Sequence, residues 1–191
     1  MKINTIYEHK FEDPPKDCVK TGYGLPIINL PNYRAPIMYN NIMCKIKGIT
    51  HKSKILCCFI FGSSVKQPQI HARQKEFLWW KWTSTEVIKT ANDVDILVLI
   101  DDKNIKEVIE KWETELPIGK KREGSYGGTY LAIQTVNNSL HILIASISQF
   151  KKALDEGDRD ALGMINPSIF ITGYRNVYDN LITNYNHTLR S

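Results

Sequence analysis

Two apolar runs stand out along the chain: Ile55-Leu56-Cys57-Cys58-Phe59-Ile60-Phe61 and Val94-Asp95-Ile96-Leu97-Val98-Leu99-Ile100. Runs of this length, bounded by polar turn residues, predict strands buried on both faces. The first stops at Gly62-Ser63-Ser64 and the second is closed by Asp101-Asp102. Helical spacing takes over in two places. Met38, Ile42, Met43 and Ile46 share one face of a helix running to about Gly48, and Ile105, Val108, Ile109 and Trp112 share a face over Lys103–Leu116, with Asp101 or Asp102 as the cap. Thr129–Val136 and Leu140–Ala145 predict a hairpin turning at Asn137-Asn138. Ser148 is expected to cap a helix over about Gln149–Glu156 and Asp158 one over Arg159–Ile165. Ile169–Thr172 is expected as a short strand or turn, and a last helix over about Tyr174–Leu189.

Elsewhere the pattern is weaker. Residues 1–36 contain Pro14, Pro15, Pro26, Pro31 and Pro36, which predicts an irregular arm with at most a short extended piece at Leu25–Leu30. Residues 65–91 show no sustained period. Pro68 interrupts any helix begun at Ser64, Lys75–Trp82 is basic and aromatic, and Glu86–Thr90 is expected as a short helix. Gly119–Gly128 is expected as a basic, glycine-rich loop. The expected fold class is α+β, one domain over 37–191 built on a mixed sheet flanked by helices, preceded by the arm.

Composition narrows the possibilities. With 191 residues, 42% hydrophobic and 24% charged, the chain is long enough for one buried core and is not disordered throughout. Its longest apolar run is too short to cross a bilayer, and no apolar stretch of signal-peptide length opens it, so a cytoplasmic protein is expected. Cys18, Cys44, Cys57 and Cys58 have no Cys-x-x-Cys spacing. Cys57 and Cys58, adjacent on a strand, point to opposite faces. All four are expected as small buried thiols rather than zinc ligands. A net charge of +5 leans toward an anionic partner such as a nucleotide or nucleic acid.

The candidate chemistry lies where the two apolar strands meet polar residues. Asp93 and Asp95 are two apart and so face the same side of a strand. Adjacent carboxylates repel unless a cation or proton joins them, and a pair of hard oxygens suits Mg²⁺ or Mn²⁺, which in turn hold phosphate oxygens. At Gly62-Ser63 a glycine permits close backbone approach, and the amides and hydroxyl beginning the next turn can grip a phosphate. Two further clusters carry lesser weight. Lys120, Lys121 and Arg122 beside Gly124, Gly127 and Gly128 either touch phosphates or are simply solvated. Trp79, Trp80 and Trp82 with Lys75 and Lys81 either stack on bases or pack a core.

An apolar strand ending in Gly-Ser, followed by Asp-x-Asp opening another apolar strand, resembles the nucleotidyltransferase superfamily, whose fold is that of the DNA polymerase beta catalytic core. The pattern here is Phe59-Ile60-Phe61-Gly62-Ser63-Ser64 and then Asn92-Asp93-Val94-Asp95-Ile96-Leu97-Val98. Leu140–Ile144, Ser148–Phe150 and Leu154–Asp158 are similar to the third active-site strand and following helices of bacterial antibiotic- and MNT-type members. The resemblance spans about residues 38–173. It implies that Gly62, Ser63 and Ser64 contact a nucleoside triphosphate, ATP above others. It implies that Asp93 and Asp95 ligate Mg²⁺ or Mn²⁺, and that an acceptor hydroxyl on a protein, nucleic acid or small molecule attacks the α-phosphate. Two departures accompany it. Residues 65–91 form an insertion, and the position of a common third carboxylate is His141, which is open to roles as catalytic base, substitute ligand or structural residue. The same resemblance also covers a degenerate member that binds or regulates without turnover.

Overall fold

The computed structural model describes residues 10–16, 18–77, 80–115, 119–123, 130–136 and 140–185. In chain order its elements are β1 (Phe11–Glu12), β2 (Val19–Lys20), β3 (Pro26–Ile28), β4 (Ile37–Met38), α1 (Tyr39–Ile49), β5 (Ile55–Phe61), β6 (Gln69–Phe77) and β7 (Trp80–Ile88). There follow β8 (Val94–Ile100), α2 (Asp102–Glu115), β9 (Gly119–Glu123), β10 (Tyr130–Val136), β11 (Leu140–Ser146), α3 (Ile147–Asp155), α4 (Arg159–Ile165), β12 (Ile169–Tyr174) and α5 (Arg175–Tyr185). Seven strands form one mixed sheet in the order β1-β12-β5-β8-β11-β10-β9. Only β8 and β11 pair in parallel within it, joined through α2 and the β9–β10 strands; the other neighbours are antiparallel. β2, β3 and β4 make a small second sheet, and β6 and β7 a two-stranded ribbon.

The central strands are apolar throughout because helices cover both faces of the sheet. Ile60, Ile96, Val98, Ile142 and Ile144 pack on one side with Ile42, Met43 and Ile46 of α1 and Val108 of α2. Phe59, Leu97, Leu99 and Ala145 pack on the other with Phe150 of α3, Leu162 and Ile165 of α4 and Leu181 of α5. Cys58 belongs to the first cluster and Cys57 to the second, the opposite-face placement that strand alternation requires. A bulge lies in β5 between Ile55 and Cys57, and β12 slips register alongside. There Gly173, at φ +116°, lets the backbones touch, since a Cβ would lie 2.5 Å from the Leu56 carbonyl oxygen.

Several expectations change. Within the arm, β1 extends the main sheet, and β3, inside the expected extended piece Leu25–Leu30, folds back with β4 before α1. Glu86–Thr90 is not a helix, because β7 continues to Ile88, and 119–123 of the expected basic loop is the edge strand β9. α3 begins earlier than expected, capped by Ser146. The Ser146 hydroxyl accepts from the Gln149 amide at 3.3 Å and donates to Gln149 Oε1 at 3.0 Å. Ser148 instead bonds Asp102 at the start of α2. Cys44 is exposed and Cys18 half-buried, so only Cys57 and Cys58 are core thiols; none of the four is in a disulfide. Trp79, Gly124, Gly127, Gly128, Asn137, Asn138 and the expected helical stretch 186–189 lie outside the described residues. Trp80, Trp82, Lys75, Lys81, Lys120, Lys121 and Arg122 are placed by backbone register alone. No helix among the described residues is long and apolar enough to cross a membrane.

Candidate functional site

Three strand ends meet at one edge of the central sheet. Phe61 closes β5 opposite Asp95 of the antiparallel β8, and His141 near the start of β11 sits beside Asp95 in the parallel register. Alternation sends Ile96 and Val98 to one face and Leu97 and Leu99 to the other, so Asp95 lies on the Leu97 side. By the same count His141 shares the face of Leu143 and Ala145. Asp93 immediately precedes β8.

The side chains follow that placement. His141 Nδ1 is 3.1 Å from Asp95 Oδ1 and 3.6 Å from Asp93 Oδ2. One donor atom from each of the three residues falls within 4.8 Å of the others, a spacing at which a single cation can be held. The side chains are 36%, 25% and 28% exposed for Asp93, Asp95 and His141, so the cluster is a half-open mouth rather than a sealed core. Burial, and after it the charge on Asp93, pushes the Asp95 carboxyl above its ordinary range, against the pull of the His141 hydrogen bond. A divalent ion would remove that penalty, and the two carboxylates offer the oxygen donors that a hard divalent ion takes. An ionised Asp95 can only accept, which leaves Nδ1 of His141 as donor and Nε2 with the lone pair.

Gly62 has φ +80° and ψ −152°, a region essentially closed to other residues, and a Cβ there would lie 2.7 Å from Asp95 Oδ2. The glycine thus makes room for the carboxylate itself. Ser63 opens the single 3₁₀ turn Ser63–Val65 and is exposed beside the cluster. Ser64 is buried, and its hydroxyl makes a long contact of 3.5 Å with the Phe61 carbonyl. Of the three residues expected to meet a nucleotide, Ser63 is therefore the exposed one, Gly62 being half-buried and Ser64 buried.

One residue that sequence reasoning passed over ties these parts together. Asn32, only 5% exposed, donates from Nδ2 to the Ser63 carbonyl at 3.0 Å and to Thr90 Oγ1 at 3.2 Å. Its Oδ1 accepts from the Thr90 amide at 3.0 Å. Its backbone amide reaches the Ser64 carbonyl, and its carbonyl accepts from the Ala91 amide. One buried side chain thus fixes the Gly62–Ser64 turn to the segment that leads into Asp93. The only sequence signal was an Asn between prolines and aromatics in an arm to which no chemistry was assigned.

Comparison with protein-family models, curated proteins and solved structures gives no match to this chain. The chemistry therefore rests on the residues themselves.

Proposed function

We propose that this chain is a metal-dependent nucleotidyltransferase that moves a nucleoside monophosphate from an NTP, ATP being the expected one, to an acceptor hydroxyl. The observation that carries the reading is the convergence of Asp93, Asp95 and His141 at the mouth formed by Gly62 and Ser63. Asp93 and Asp95 would hold Mg²⁺ or Mn²⁺, and exposed Ser63 and the neighbouring amides would grip the triphosphate. A bound divalent ion supplies charge neutralisation for the phosphates and a lower pKa for the attacking hydroxyl. His141, kept in the Nε2 lone-pair tautomer by Asp95, takes the acceptor proton. The acceptor oxygen–α-phosphorus bond forms, the bond to the bridging oxygen breaks, and pyrophosphate leaves.

The second reading is a degenerate relative that binds without turnover. It is favoured by the imidazole standing beside Asp95 where a carboxylate would add charge for a metal.

Incubation with α-labelled NTPs, Mn²⁺ or Mg²⁺, and protein, tRNA and small-molecule acceptors separates the two. The transferase labels an acceptor, and Asp95→Asn lowers the rate by roughly a hundredfold or more. Labelling that appears only in His141→Asp establishes the degenerate reading. No labelling together with no NTP affinity in Mn²⁺ overturns both.

A further inference from the structure

The ribbon of β6 and β7 has no evident role in the core. Both strands pair only with each other, and no other described element takes up either face beyond marginal contact. An isolated two-stranded hairpin is at best marginally stable in water, so such a ribbon signals a surface reserved for a partner. Its ends also sit close to the candidate site. β6 follows the Gly62–Val65 turn and β7 runs into Thr90, Ala91 and Asp93, with Asn32 bonded to both ends.

The pairing register divides the ribbon into two unlike faces. Ile70 pairs Val87, Ala72 pairs Thr85 and Gln74 pairs Thr83; paired residues share a face. That face is exposed at Ile70 (68%) and Val87 (53%) and small or polar beyond them, at Ala72, Thr83 and Thr85. The opposite face receives the pairs Phe77–Trp80, Lys75–Trp82, Arg73–Ser84 and His71–Glu86. Three aromatic residues thus fall at one end of a row that continues with a lysine, an arginine and a histidine. Residues 66–89 carry five Lys or Arg (Lys66, Arg73, Lys75, Lys81, Lys89) against two Glu (Glu76, Glu86), in a chain whose net charge is +5.

We propose that this face of the ribbon binds single-stranded nucleic acid. An aromatic block at Phe77, Trp80 and Trp82 followed by Lys75 and Arg73, with Glu86 alone as an acid at the far end, matches a strand whose bases offer flat π-faces and whose backbone offers phosphates. Successive same-face positions are about 6.6 Å apart, a repeat comparable with that of an extended nucleotide strand. A protein partner would be read by the other face, where the apolar surface is the single pair Ile70–Val87 and the flanking residues are polar. The binding stands on the ribbon alone. That the bound strand is also the acceptor of the transfer rests on the transferase reading above.

The test is fluorescence anisotropy of full-length protein with labelled twelve-nucleotide RNA and DNA strands of mixed sequence. Wild type binds one or both, and more weakly as salt rises; the better of the two names the natural ligand. Trp82→Ala weakens binding about tenfold while Trp82→Phe keeps most of it, the behaviour of a stacking platform. Lys75→Ala weakens binding and lowers the slope of log affinity against log salt by roughly 0.7. Thr85→Ala on the other face leaves affinity unchanged, and the titration contains neither NTP nor divalent ion, which separates this result from any failure of the transferase assay. Absence of binding to either strand at low salt overturns the proposal, as does equal affinity in wild type, Trp82→Ala and Lys75→Ala. A wild type that binds neither strand but forms a dimer abolished by Val87→Ser overturns it in favour of a protein-docking ribbon.

Discussion

Asp13 and Asp95 are both partly buried carboxylates, and burial is the leading influence on each, yet their acidities move in opposite directions. Asp13, where the arm meets α1, accepts a hydrogen bond from Tyr39 and pairs with Lys52 at 2.9 Å. Those bonds, with the charges of Lys52 and Lys47, overcome burial and hold its carboxyl below the ordinary range. Asp95 has one imidazole for company and a like charge, Asp93, beside it, and its carboxyl is pushed up. The fold completes the first site with its own cations and leaves the second short of positive charge. A carboxylate that the chain neutralises is part of the scaffold; one left unneutralised at a half-open mouth is where a cation from outside has a place.

Asp13→Ala should give the largest effect. It removes the partner of a buried tyrosine hydroxyl and of Lys52, and should cost about 2–3 kcal/mol in urea unfolding. A cost near zero would mean that the contrast with Asp95 is not one of compensation. Asn32→Ala should cost somewhat less, about 1–3 kcal/mol, because it orphans the Ser63 carbonyl and the Thr90 amide. It should also weaken Mn²⁺ binding by calorimetry although Asn32 touches no ion. Unchanged Mn²⁺ affinity would show that the cluster holds its shape without the clamp. Asp95→Asn should have the smallest effect on stability and the opposite sign, making the metal-free protein equal to or more stable than wild type while removing the rise in melting temperature that Mn²⁺ gives.

The two carboxylates should also part with pH. A lowered folded pKa, as at Asp13, means stability that is present above the ordinary aspartate value and lost as pH falls through the folded value. A raised one, as at Asp95, means stability present in acid and lost as pH rises through the folded value. Unfolding curves from about pH 3 to about pH 7 should therefore show the penalty of Asp13→Ala shrinking in acid, and the benefit of Asp95→Asn vanishing there.

What the sequence made legible was whatever the core dictates. β5 and β8 were readable because strands buried on both faces must be apolar at every position, and Asp93, Asp95 and His141 because they interrupt or border such runs. The ribbon was unreadable for the converse reason. His71-Ala72-Arg73-Gln74-Lys75 has no apolar period, and among the described residues its strand pairs with β7 alone, outside the main sheet whose core dictates the readable runs. β9 reads as a loop because an edge strand tolerates lysines that a central strand would reject. The cap of α3 was legible and missed: Ser146-x-x-Gln149 is a capping box, whereas Ser148 has no such partner. Asn32 had only its place between a proline and a tyrosine as a signal, because its importance lies in carbonyls and amides some thirty and sixty residues downstream, which only the folded chain brings to it.

The parallel pairing of β8 and β11 also sets when the cluster can exist. Asp95 and His141 lie 46 positions apart, and parallel neighbours meet only after the intervening crossover has folded back. Pairings of this kind are slow, because the chain closes a long loop before any contact rewards it. A nascent chain that has emerged only through β8 displays two repelling carboxylates without the imidazole that Asp95 orients. Transfer activity in a refolding protein should therefore return only once β11 has docked, which makes the reaction a reporter of that one pairing.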